Sequence, residues 1–171
     1  MSILLTSDVI RGLCSDGRLT VIEKKQKNGG DYNYYITPNL AFRLYRGKVI
    51  VSDTKYIVLQ FDKYTNLNLL HLLRTTTSCI SNYLKSCIDI NTDLIYPLCS
   101  EQDNTFTIRM SLPHVRQKYF IEAKSLEENE VIPFRKPFVG TILTEAQAEI
   151  RNLWQNKGRI GFNIELKHVG L

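Results

Sequence analysis

Residues 141–171 read TILTEAQAEIRNLWQNKGRIGFNIELKHVGL, and the fold turns on how the first half of that stretch is taken. Ile142, Ala146, Ala148, Ile150 and Trp154 recur at even spacing, as one face of a strand does. Against that, Thr144 and Gln147 make a capping-box pair, and AQAEIRNLW has good helix propensity and ends before a glycine. Local pattern leaves strand and helix both open up to Trp154. GRIGFNIELKHV is a strand on either reading.

Upstream, TFTIRMSL, a PHVRQ turn and KYFIEAK predict further strands, then an acidic loop, SLEENE, leads to IPFRKPF. From Arg18 to Phe61 the pattern is again β. RLTVIEKKQ and YNYYITP flank an Asn-Gly-Gly tip as hairpin arms do, because glycine supplies the positive φ that tight turns demand. AFRLYRG, KVIVSD and KYIVLQFD follow as short β-branched and aromatic runs, which makes four or five strands at the density of a meander or small barrel. Residues 66–88 change period: Leu69, Leu72, Leu73, Thr76, Ile80, Tyr83, Leu84 and Cys87 share a helical face. Thr65 or Asn66 is placed to cap that helix, and the poor helix formers of TTTS predict a kink or break near Thr76.

At 171 residues with 43% hydrophobic and 23% charged, the chain is long enough for one well-packed domain, 1–171, and too apolar for wholesale disorder. No apolar run approaches the roughly 20 residues of a membrane span, and MSILLTSDVIRGL lacks the basic start of a signal peptide. The expectation is a soluble intracellular protein with no membrane partner. Cys14, Cys79, Cys87 and Cys99 form no C-x-x-C pair, and His71, His114 and His168 stand apart, which argues for reduced, partly buried thiols and against a metal site. The net charge of +5 is unevenly spread. Residues 1–70 carry ten Lys/Arg against six Asp/Glu, 71–130 six against eight, and 131–171 six against three. Basic ends around a mildly acidic middle are compatible with a polyanionic partner.

Three short runs interleave aromatic and basic residues. KKQKNGGDYNYYITP (24–38) sets Lys24, Lys25 and Lys27 against Tyr32, Tyr34 and Tyr35, with Tyr32 and Tyr34 on one strand face. FRLYRGK supplies Arg43, Tyr45, Arg46 and Lys48, and in FRKPF the rings Phe134 and Phe138 bracket Arg135 and Lys136. Single-stranded nucleic acid is held this way: aromatic faces stack on bases while cations follow the phosphates. The stacking candidates are therefore Tyr32, Tyr34, Tyr45, Phe134 and Phe138, and the phosphate candidates Lys24, Lys25, Lys27, Arg43, Arg46, Lys48, Arg135 and Lys136. The plainer explanation is that tyrosine forms strands well and lysine protects exposed edges.

A second constellation points to an enzyme. Asp103 opens one strand and Glu122-Ala-Lys124 lies on the next, as in PD-(D/E)xK nucleases, where the acids hold Mg²⁺ and the lysine positions the attacking water. A helix at 142–154 would strengthen that likeness and bring in Gln147, but Gln102 stands where the motif has proline. Solvated Glu and Lys at a strand end is the simpler reading. Phosphate-binding glycine loops, the nucleophile elbow and zinc-protease motifs are absent, so the balance leans away from an enzyme.

TFTIRMSLPHVR, followed after a loop by GTI and then AEIRNLWQNKGRIGFNIEL, resembles single-stranded DNA-binding proteins of large eukaryotic DNA viruses. Trp154, Asn156, Lys157, Gly158 and Gly161 are the matching residues, and the likeness spans roughly 100–171 with a fainter echo at 32–88. It implies an elaborated OB-like barrel with a strand at 142–154, no enzymatic activity and no cofactor, Mg²⁺ being required only by the nuclease alternative. It further implies a protein that coats DNA during replication in the cytoplasm or nucleus of an infected cell. Partners would be single-stranded nucleic acid, replication proteins and further copies of the chain. Many such proteins end in an acidic tail, whereas this chain ends in KHVGL, which leaves the loop of Glu127, Glu128 and Glu130 as the acidic candidate for partner contact, a solvated loop being the plainer reading. The expected architecture is α+β, mainly antiparallel, with an OB-like core and one substantial helix near 66–88. A non-enzymatic protein-interaction module is the third functional class.

Overall fold

The computed structural model describes residues 2–25, 32–87, 95–156 and 158–171. In chain order the elements are β1 (Ser2–Leu4), α1 (Ser7–Ser15), β2 (Thr20–Lys25), β3 (Tyr32–Thr37), β4 (Asn39–Ser52), β5 (Tyr56–Asp62), α2 (Leu67–Cys87), β6 (Ser100–Glu101) and β7 (Thr105–Ser111). They continue with β8 (His114–Val115), β9 (Lys118–Tyr119), β10 (Glu122–Ser125), β11 (Glu130–Ile132), β12 (Ile142–Asn156) and β13 (Arg159–Gly170). β4, β5 and β7 form an antiparallel run, β7 lies parallel to β13, β13 pairs antiparallel with β12, and β12 returns to β4. Those pairings close a five-stranded barrel, and the fold is OB-like α+β.

Alternation drives closure. Ile57, Leu59 and Phe61 on β5 and Phe106, Ile108 and Met110 on β7 all point inward, and the Phe61 and Phe106 rings stack at 5.3 Å between centroids. The stretch 142–156 resolves as strand β12. Ala146, Ala148 and Ile150 are buried between β4 and β13, a two-residue period that a helix would scatter around its axis. Tertiary pairing on both edges overrides the capping-box signal. β12 pairs with β4 as far as Ile150 and with β3 from Leu153 onward, and the switch coincides with a bulge between Ile150 and Asn152. The β12–β13 tip therefore projects past the barrel alongside β3 and β2.

Two local expectations are corrected and one element is added. AFRLYRG and KVIVSD are one strand, β4: the chain bends at Arg46, whose φ is 60°, and does not break at Gly47. Gly47 instead seats the Phe61 ring, which a Cβ there would approach to 2.7 Å. α2 is one continuous helix through Thr76, so the expected break does not occur, and Thr77 Oγ1 donates to Leu73 O at 2.8 Å within it. And α1, unforeseen, is capped by Thr6, whose hydroxyl accepts from Val9 N, and buries Ile10 and Leu13.

Cys99 is buried, Cys14 and Cys79 half-buried and Cys87 exposed; burial pushes the Cys14 and Cys99 thiols up to about 11. Among the described residues no helix is long and apolar enough to cross a membrane.

Candidate nucleic-acid interface

The outward residues of β5 and β7 form the floor of a groove. Tyr56, Val58 and Gln60 pair across the sheet with Ser111, Arg109 and Thr107. Diagonally across that ladder, Arg109 Cζ sits 3.9 Å from the centroid of the Tyr56 ring, a cation–π stack. The β4–β5 turn adds Lys55 at one end, its backbone tied down by Leu112 N donating to Lys55 O at 2.8 Å.

The opposite wall is the β12–β13 tip. Trp154 faces Gly161 in register, and a Cβ at Gly161 would lie 2.2 Å from the indole. Only glycine lets the ring lie on the β13 backbone. Tyr96, placed by its own N–H donating to Ile160 O, sets its ring 6.1 Å from Trp154 at a tilt of 41°. Asn156 and Arg159 complete this end. Three adjoining hollows of about 300, 440 and 490 Å³ make up the groove, and Trp154 lines all of them. Among the described residues lining it, Lys55, Arg109 and Arg159 are the cations and there is no Asp or Glu.

The segment that carries Tyr96 leads into β6, where Glu101 is gripped twice. Arg74 Nε donates to it at 2.9 Å, with a second bond from Arg74 Nη2, and Lys63 Nζ lies 3.2 Å away. The Arg74 guanidinium, seconded by Lys63, holds the Glu101 carboxyl down to about 2. In the 53–55 turn, hydrogen bonds from Lys55 N and the Thr54 hydroxyl lower the Asp53 carboxyl. The groove thus offers flat apolar rings for bases and cations for phosphates. Barrels of this architecture bind oligonucleotides on the face of their second and third strands, between the loops after the first and fourth, which are the positions of β5–β7, the 53–55 turn and the β12–β13 tip.

The sequence candidates fall in several places. Lys24 and Lys25 lie on β2 opposite Asn33 and Tyr32 of β3, and these two lysines and Tyr32 are described through their backbone alone; Lys27 lies outside the described residues. Tyr34 is 2% exposed, with its hydroxyl donating to Gln155 Oε1, so no face of it is open to a base. Arg43, Tyr45, Arg46 and Lys48 are exposed on β4. Arg43 and Tyr45 line a separate cleft of about 330 Å³ with Glu122, Lys124, Glu145, Gln147 and His168. Phe134 is half-buried, edge-on to Tyr119 at 5.5 Å, while Arg135 is exposed, Phe138 is 84% exposed and Lys136 approaches Asp53.

The nuclease constellation is not assembled. Asp103 precedes β7, whereas Glu122 and Lys124 on β10 flank the far end of β13, where His168 Nδ1 lies 3.0 Å from Glu122 Oε2. β7 and β13 run parallel with Ser111 beside Glu165, so the whole of β7 separates the two carboxylates, roughly 25 Å at the usual strand rise. They cannot share a metal ion. Conversely, the groove residues Lys55, Tyr56, Tyr96, Arg109 and Arg159 were not among the sequence candidates, and Trp154 entered as a strand-face residue and through the family resemblance, not as a stacking candidate. One signal was present: Arg109 is the lone charge in TFTIRMSL, on the outward phase of its alternation.

No protein-family model matches the chain, and no curated protein matches it in sequence. Several solved structures match in fold. A C-terminally truncated single-stranded DNA-binding protein from bacteriophage Enc34 superposes with a TM-score of 0.55 at 12% identity, covering 91% of this chain and 95% of that one. The same phage protein in complex with single-stranded DNA gives 0.53 at 12% identity, over 88% and 94% of the two chains. These neighbours come from a bacteriophage, and no family model or curated sequence match supports the eukaryotic viral family that the chain resembles. What the chain has in common with them is the fold of a phage single-stranded DNA-binding protein.

Proposed function

We propose that this chain binds single-stranded DNA with little sequence preference, laying the strand across the β5–β7 face between the 53–55 turn and the β12–β13 tip. One observation carries the reading: Trp154, Tyr96 and the Arg109–Tyr56 stack share a groove with three cations and no carboxylate among its described lining residues. Stacking is worth about 1–3 kcal/mol per base whatever the base, and each phosphate neutralised adds about 0.7 to the log–log salt slope on single strands. That a neighbour of the same fold carries single-stranded DNA supports the assignment. β3 joins β12 at Trp154, so the backbone of β2 and β3 lies next to the tip, and Lys24, Lys25, Lys27 and Tyr32 are further candidates for contact with the strand.

The finer role is protection of exposed strands during replication of a viral-type genome inside the infected cell, with replication proteins and neighbouring copies of the chain as partners. The phage origin of the structural neighbours supports that setting.

The test is fluorescence anisotropy of a labelled single-stranded oligonucleotide, with a duplex control, in EDTA and in Mg²⁺, each sample then run on a gel. Salt-sensitive binding to the single strand in EDTA, with the oligonucleotide intact throughout, is the expected result. No binding to either form would discard the reading and leave a protein-interaction module.

A further inference from the structure

We infer that the strand path continues beyond the barrel groove onto the insertion between β7 and β12, as a second single-strand subsite built from Arg116, Lys118, Phe120, Arg135, Lys136 and Phe138. This rests on the groove reading above. The two surfaces meet at the 53–55 turn. Lys55 lines the groove, while on the other side of the same turn Tyr119 Oη donates to Thr54 O at 3.1 Å, Ser52 Oγ donates to Pro137 O at 2.5 Å, and Lys136 approaches Asp53. A strand leaving the groove past Lys55 arrives directly at this insertion.

Charge is segregated within it. Residues 112–121 and 131–141 contain Arg116, Lys118, Arg135 and Lys136 and not one Asp or Glu, while Glu122, Glu127, Glu128 and Glu130 are confined to 122–130. Exposed rings accompany those cations: Phe120 is 56% and Phe138 84% exposed. Their backbone is anchored from beneath. His114, Tyr119 and Phe134 form a chain of ring contacts at 5.7 and 5.5 Å, and Gly140 N and Val49 N exchange hydrogen bonds with Val49 O and Thr141 O at 2.7 and 2.8 Å. The β8–β9 turn is also telling. Its two central residues, Arg116 and Gln117, take φ of 49° and 68°, a conformation in which Asn-Gly is the usual choice. A cation stands at the hairpin tip despite that strain. Exposed rings on a hydrogen-bonded backbone, among four cations that outnumber the Asp53 carboxylate beside Lys136, fit a single strand by the same chemistry as the groove.

The experiment compares wild type with a variant carrying Arg116→Ser, Lys118→Ser, Phe120→Ser and Phe138→Ser, all four at exposed positions, on oligothymidines from about 4 to about 20 nucleotides, a range that brackets known site sizes per barrel. Circular dichroism verifies that the variant is folded. Expected is binding within twofold of wild type at the shortest lengths that bind, and about tenfold weaker binding at the longest. The salt slope on the long oligonucleotides should be shallower by about 1.4, for two lost phosphate contacts. Identical affinity and slope at every length would overturn the second subsite and assign this face to a protein contact. Absence of binding by wild type at any length would instead overturn the groove reading, and the extension with it.

Discussion

The Trp154 groove and the Tyr45 cleft lie at opposite ends of one strand, β13, and each combines an aromatic ring with cations. They differ in what faces those cations. In the groove, Lys55, Arg109 and Arg159 meet no carboxylate among the described lining residues. In the cleft, Arg43 and Lys124 are matched by Glu122 and Glu145, and register places Glu145 directly opposite Tyr45 on the neighbouring strand. A phosphate entering the cleft would meet two negative charges with its two positive ones. Richness in Tyr and Arg along a sequence run is thus a poor guide to polyanion binding; the residues that pairing brings across from them decide.

The contrast can be broken at several points. Trp154→Ala should weaken single-strand binding roughly ten- to hundredfold, the range set by loss of one or more stacked bases, and anisotropy titration reads it directly. Replacing Lys55, Arg109 and Arg159 with serine should lower affinity by about tenfold and flatten the salt slope by about 0.7 per contact. The matching triple at Arg43, Arg46 and Lys48 should leave the slope within error of wild type. If the β4 triple flattens it instead, the two faces have been assigned the wrong way round. Gly161→Ala should weaken binding several-fold, somewhat less than Trp154→Ala, because the added methyl lifts the indole from its seat without removing it.

The smallest effect concerns the wall that carries Tyr96. Glu101→Gln should cost about 1 kcal/mol of stability at pH 7, a modest figure because Arg74 is more than half exposed and the pair is partly screened. The folded carboxyl titrates near 2 and the unfolded one at its ordinary 4.5. The advantage of the native residue is therefore complete above about pH 4.5, shrinks as pH falls, and is gone near pH 2. Denaturant melts at pH 7, 4 and 2.5 would trace it.

Much of the barrel is legible in the sequence because each strand carries its own signal. β5 and β7 alternate cleanly, and the α2 stretch repeats at helical spacing. β12 is a harder case: its strand period and its helix propensity are of similar strength locally, and only pairing with β4 and β13 on its two edges resolves them. α1 escapes notice because Thr6, Ile10 and Leu13 give only about two turns of signal in a short helix. The groove is less legible still. Lys55, Tyr56, Tyr96, Arg109, Trp154 and Arg159 come from separate segments that meet only when the barrel closes, whereas the runs that cluster in sequence are divided by it. Tyr34 shows the division: its neighbours in sequence suggest a stacking face, and its place opposite Leu153 buries it.

The indole resting on Gly161 has one further consequence. Trp154 is the only tryptophan in the chain, so red-edge-excited emission from this protein originates in the groove and nowhere else. A base stacking there would quench that emission, with no dye attached to either molecule. The native protein therefore carries its own optical gauge of occupancy, and the stoichiometry at which the signal levels off counts the nucleotides each copy covers.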